Sequence, residues 1–253
     1  MWQWMYEFWA RKREVLNYIQ PKLVRNFTAT GFAPSHLDDE IFQALTDFWK
    51  TAQEQGDLNE EGAAGPVMNQ QKSPTFMAYL PESERQALTD WIRPKLETWA
   101  NIPSLELTSL YGIRMYTRGA ILGMHVDTCG THVISAIINV DSKLDQGKDW
   151  PLQIYDHEGT LHEFTMKPGD VMFYESAKCG HSRFKPLPGE YYANIFIHFK
   201  PTDPIYWNYD CVFFLFSLVL IFISNSTSMT TVFAKFLIKH LNSEMNQYYH
   251  TQR

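Results

Sequence analysis

"GMHVDTCGTH", residues 123–132, sets two histidines, an aspartate and a cysteine between two runs of apolar and β-branched residues. If the backbone here is extended, side chains alternate between faces, so His125 and Asp127 point the same way and offer two metal ligands side by side. The triplet alone proves little. With 9 His and 13 Asp in 253 residues, roughly 0.5 H-x-D triplets arise by chance. A second one does occur, His36-Leu37-Asp38. It sits at Ser35-x-x-Asp38 ahead of Leu37, Ile41, Leu45, Phe48 and Ala52, an every-third-or-fourth spacing that predicts a capped amphipathic helix with Asp38 at the positive end of its dipole. The flanking texture therefore separates a strand triplet from a helix triplet.

Around the strand triplet, residues 105–202 run as short β-rich stretches: "SLYGIRMYT", "THVISAIINV", "PLQIYD", "TLHEFTM", "VMFYES" and "YYANIFIHF". Turn residues separate them, notably Asp156-His157-Glu158-Gly159 and Lys167-Pro168-Gly169-Asp170, which predicts an antiparallel sandwich or barrel. Residues 1–104 read as helical, with helices over 2–19, 35–54 and 81–100 and a kink at Pro94. A Gly-rich polar loop, 56–74, is long enough to be a lid. Residues 203–253 form a hydrophobic C-terminal tail. Its apolar run "CVFFLFSLVLIFI", 211–223, falls short of the roughly 20 residues of a membrane helix. Tyr206, Trp207 and Tyr209 could still form an interfacial belt beside it, so the run reads as a membrane contact, as a buried helix or as a tail foreign to the domain.

The chain is long enough for one domain of about 200 residues with appendages. A net charge of −6 with no basic run excludes a dedicated nucleic-acid binder. Cys129, Cys179 and Cys211 form neither a disulfide framework nor a C-x-x-C pair, which fits a reducing compartment. The start, "MWQWMYEFWARKREVL", is broken by Glu7 and Arg11 and is no signal peptide. The expected location is cytoplasmic, or membrane-associated through the tail.

A metal held by His125 and Asp127 needs a third ligand, from His132, His157, His162, His181 or His198. His132 would need a tight reversal to return, His157 falls in an exposed turn, His162 in a surface pattern, and His198 in the core or at an edge. His181 follows "PGDVMFYESAKCG", where a strand ending at Gly180 can deliver a side chain to a cavity. Two histidines and one carboxylate leave open coordination positions, as in the facial triad of non-haem Fe(II) oxygenases. A zinc hydrolase remains open from the ligands alone.

In "RMYTRGAILGMHVD", "WPLQIYD", "KPGDVMFYESAKCGHSR" and "YYANIFIHFKP", taken in this order over residues 110–201, the chain resembles the 2-oxoglutarate- and Fe(II)-dependent dioxygenases of the prolyl 4-hydroxylase-like branch. The resemblance implies an α+β protein: a double-stranded β-helix (jelly-roll, cupin-like) core with N-terminal helices packed on it, and His125, Asp127 and His181 as iron ligands. It further implies Fe(II), 2-oxoglutarate as co-substrate, ascorbate, O2 and a peptide or small-molecule substrate that is hydroxylated while succinate and CO2 leave. Tyr116 and Asn139 match positions that contact 2-oxoglutarate in the family. Relatives usually hold its distal carboxylate with a Lys or Arg nine or ten residues after the distal His; here those positions are Glu190 and Tyr191. Glu190 cannot do that work, and Tyr191 offers one hydrogen bond without charge. Replacement cations are Arg183, beside the distal ligand, then Arg114, then Lys185. The rival reading is a β-helix binding module that has lost 2-oxoglutarate turnover.

Overall fold

A computed structural model describes residues 17–61 and 73–207. Most of the expected helix 2–19, most of the loop 56–74 and the apolar run 211–223 therefore lie outside the described residues. By contacts the chain divides into a unit of residues 1–208 and a second of 209–253; all that follows concerns the first.

In chain order, the helical residues 17–23 (α1) precede β1 (Phe32–His36), α2 (Asp39–Gln55), β2 (Asn59–Glu60), β3 (Thr75–Tyr79) and α3 (Glu82–Ala100). Nine strands follow: β4 (Leu105–Ser109), β5 (Gly112–Thr117), β6 (Leu122–His125), β7 (Ile134–Leu144), β8 (Leu152–Tyr155), β9 (Leu161–Phe164), β10 (Asp170–Tyr174), β11 (His181–Arg183) and β12 (Gly189–Pro201). They build two antiparallel sheets, a larger one in the order β1-β10-β7-β12-β5-β3-β2, with β4 also on β12, and a four-stranded one in the order β6-β11-β8-β9. This is the double-stranded β-helix, and the two turns read from the sequence, 156–159 and 167–170, connect β8 to β9 and β9 to β10.

Period-2 alternation sorts the residues of the large sheet. Ile113, Ile134, Ala136, Ile138, Val140, Ala193, Ile195, Ile197 and Phe199 face α2 and α3, whose Leu45, Trp49, Leu88, Ile92 and Leu96 close the main core. The other face carries Ile137, Met172 and Tyr174 against Leu152 and Ile154 of the small sheet, and Tyr116 and Tyr192 against Trp150.

Residues 1–104 are not only helical. β1 pairs with β10 and β3 with β5, so this region supplies strands to the large sheet. Ser35 lies inside β1, opposite Val171, and cannot cap a helix; α2 starts instead after Asp38, whose carboxylate makes no cap bond and accepts from Trp91 Nε1 at 2.6 Å. α3 runs through Pro94 as one helix. Among the described residues no helix is long and apolar enough to cross a membrane.

Candidate metal centre

His125 ends β6, and His181 begins β11 directly opposite it in register. Each imidazole is locked through Nδ1, His125 to Gly123 O at 2.9 Å and His181 to Cys179 O at 2.9 Å. A carbonyl can only accept, so each ring donates its Nδ1–H to it and turns Nε2 toward Asp127. Asp127 faces both: Oδ1 lies 3.6 Å from His125 Nε2 and Oδ2 3.9 Å from His181 Nε2. The three ligand atoms lie within 4.8 Å of one another.

Asp127 is placed by its surroundings rather than by strand pairing. Its N–H donates to Ser176 O at 2.8 Å, and Tyr174 Oη donates to Oδ2 at 3.4 Å. From α1, Gln20 Nε2 donates to Asp127 O at 2.5 Å and Ala177 O at 2.7 Å, tying the two ligand-bearing loops together. Burial pushes the Asp127 carboxyl up, but the imidazoles of His181, His198, His125 and His132 outweigh it and hold the group below the usual carboxylate range. An ionised carboxylate facing two imidazole Nε2 atoms suits Fe(II), and by ligand type also zinc.

The triad opens on a cavity of about 260 Å³ whose wall includes Arg114, Tyr116, Phe196, His132 and His198. Sequence reasoning missed the last two as cavity residues. The tight reversal that His132 required exists, with its N–H bonded to Thr128 O at 2.8 Å, and its ring lies 4.0 Å from that of His198. The tautomer of His198 follows from a chain of hydrogen bonds. Ser176 Oγ donates its only hydrogen to His132 O at 2.8 Å, so Ser135 donates to Ser176 at 2.6 Å, and His198 Nδ1–H must donate to Ser135 at 2.7 Å. Burial pushes the His198 imidazole down to about 3, outweighing the upward pull of Asp127. It is therefore neutral.

The five expected co-substrate residues separate. Arg114 and Tyr116 are on the cavity wall, and Arg114 is already forked onto Glu61 through Nε and Nη2 at 2.7 and 2.8 Å. Asn139 is fully buried on the inner face of β7, donating to Ala193 O and Asn194 Oδ1. Arg183 is buried against Trp150 and Tyr192 and does not line the cavity. Tyr191 is on the helix side of β12, its hydroxyl donating to Asp141 Oδ2 at 2.6 Å and its ring edge-on to Trp49, so Tyr192 is the inward residue at that level. Lys185 sits at the surface near Glu163. Of the other candidate ligands, His157 lies in its turn as expected, but its side chain is buried, with Nε2 3.2 Å from Glu175, while His162 bonds Asp156.

No protein-family model and no curated protein matches the chain. Solved structures do match its fold. A prolyl-4-hydroxylase of Pseudomonas putida aligns at TM-score 0.54 and 14% identity over 72% of this chain and 99% of that one. A prolyl hydroxylase of Trichoplax adhaerens, in complex with a hypoxia inducible factor oxygen degradation domain peptide fragment, aligns at 0.52 and 11% over 78% and 92%. The non-heme alpha ketoglutarate dependent epimerase SnoN from nogalamycin biosynthesis aligns at 0.50 and 13% over 73% and 83%. The fold is that of the prolyl-hydroxylase-like 2-oxoglutarate oxygenases.

Proposed function

We propose that the chain is an Fe(II)- and 2-oxoglutarate-dependent dioxygenase that hydroxylates its substrate in the manner of the prolyl 4-hydroxylases. The observation that carries this reading is the pair of imidazole Nε2 atoms, each ring fixed by a backbone carbonyl, facing Asp127 at the wall of a cavity. When bound, the metal and 2-oxoglutarate supply the oxidising chemistry, in which O2 is consumed, succinate and CO2 leave and the substrate gains a hydroxyl.

The chain's own part is to bind, orient and keep dry. His125, Asp127 and His181 would hold the metal at the cavity wall. Tyr174 donates to Asp127 Oδ2 and fixes the carboxylate's rotation. Phe196, Leu122 and Met77 give that cavity an apolar share of its wall, which limits water near the reacting centre. A fold shared by two prolyl hydroxylases and an epimerase does not fix the substrate. A prolyl side chain in a peptide is the substrate class the first two favour.

The test is succinate formation from 2-oxoglutarate by the purified chain under air. It should require added Fe(II), rise with a substrate peptide, and vanish in His125→Ala, Asp127→Ala and His181→Ala. Succinate formed equally by wild type and all three variants would overturn the proposal.

A further inference from the structure

β6 stands at the end of the small sheet, with β11 on one side only, and the chain leaves it at His125 to place Asp127 in a loop. An open strand edge running into a loop is a poor mount for two ligands, because its main-chain groups need partners and its register can slip. α1 covers this edge.

Asn17 does there what a neighbouring strand would do. Its Nδ2 donates to Met124 O at 3.4 Å and its Oδ1 accepts from Val126 N–H at 3.2 Å, so one carboxamide bonds the residues on either side of His125. Three residues on, and so on the same helix face, Gln20 repeats the pattern at Asp127. Its Nε2 donates to Asp127 O at 2.5 Å, and its Oε1 accepts from Cys129 N–H at 3.4 Å. The second Nε2 hydrogen goes to Ala177 O at 2.7 Å, in the loop that leads to His181.

That loop returns the grip. Lys178 Nζ donates to Pro21 O and Val24 O, both at 2.7 Å, at the carbonyl end of α1. Glu175, 1% exposed, accepts from Phe27 N–H at 3.1 Å, Thr28 N–H at 2.8 Å and Thr28 Oγ1 at 2.7 Å. Residues 17–28 are thus bonded along their length to the two segments that flank the candidate ligands, and none of them lines the cavity. Packing alone does not account for this arrangement. Among residues 17–23 only Gln20 is buried, and a buried amide stabilises nothing unless its bonds are made.

We propose that Asn17 and Gln20 are positioning residues of the metal centre: their main-chain bonds set the places of His125 and Asp127 from behind, so that metal affinity depends on the docked N-terminal segment. The proposal rests on the metal-centre reading. Neither residue touches metal or substrate; each acts through the backbone of a ligand.

Calorimetric titration of the full chain with Mn(II), with the electron paramagnetic resonance spectrum of the bound ion as a second readout, tests this. Gln20→Met, which keeps the length and loses the amide, and Asn17→Leu should each weaken Mn(II) by about tenfold. Each should also broaden the spectrum of the bound ion, because displaced donors spread its zero-field splitting. Ile92→Val, in the helix-side core, should lower the melting temperature and leave affinity within about twofold and the spectrum unchanged. Asn17→Leu, at a part-exposed position, decides alone if Gln20→Met does not fold. Unchanged affinity and spectrum in the α1 variants, with only the melting temperature lowered, overturn the proposal and leave the metal centre intact. An equal loss of affinity in Ile92→Val overturns it as well. Mn(II) binding absent from wild type overturns both readings.

Discussion

His125 and His181 are register partners across the β6–β11 pair, with ring centroids 4.3 Å apart. Residues distant in sequence thus become adjacent through a single strand pairing, and the carbonyls of Gly123 and Cys179, each two residues before its histidine, hold both rings alike through Nδ1. The candidate metal centre is built by the sheet, with a loop holding only Asp127.

Metal binding should follow that geometry. His125→Ala, Asp127→Ala and His181→Ala are each expected to abolish Mn(II) binding, read by electron paramagnetic resonance, while circular dichroism shows the fold retained. His36→Ala and Asp38→Ala should bind as wild type does, since His36 pairs with Asp170 at the surface and Asp38 serves Trp91. Equal loss in both sets would refute the assignment.

Tyr174→Phe removes the hydroxyl that reaches Asp127 Oδ2 at 3.4 Å and keeps the ring that packs on His181. Partners of this kind are typically worth about ten- to a hundredfold in metal affinity. A Mn(II) dissociation constant raised by about tenfold is expected; an unchanged one would mean that the bond does not orient the carboxylate.

His198 gives the metal-free protein a pH dependence. Its folded value is about 3 and its unfolded value about 6.5, so between them the unfolded chain binds a proton that the folded chain does not. The contribution is complete above about pH 6.5 and is lost progressively as the pH falls toward 3. Urea midpoints should fall through this window, less steeply in His198→Asn, which can still donate to Ser135 but cannot titrate. Equal slopes would count against a neutral buried His198.

Tyr191→Phe should leave 2-oxoglutarate affinity unchanged and cost about 1 kcal/mol of stability, because its hydroxyl serves Asp141 on the helix side. A large loss of 2-oxoglutarate affinity would place this side chain in the pocket after all.

The sequence disclosed what depends on local pattern. Alternating strands, the two turns and the two-residue offset of His125 from Asp127 could all be read directly, and the order of motifs around His181 pointed to the third candidate ligand, which the structure brings beside the other two. What escaped depends on register and on side. Tyr191 and Tyr192 are neighbours, and only the pairing of β12 with β5 and β7 decides which faces inward. His198 is indistinguishable from a core histidine until β4 and β7 flank it. β1 was hidden because Ser35 and Asp38 satisfy a capping pattern at a strand end, and the pairing of β1 with β10 overrides local propensity. The Arg114–Glu61 fork joins residues on β5 and just past β2 that no spacing rule connects.

The most direct test of the central claim is an anaerobic titration of the full chain with Fe(II) and then 2-oxoglutarate, followed by visible absorption. Joint chelation of iron by the keto acid should raise a charge-transfer band that saturates at one equivalent of each, needs both additions, and is missing in Asp127→Ala. Tight Fe(II) binding with no band at saturating 2-oxoglutarate would contradict the account.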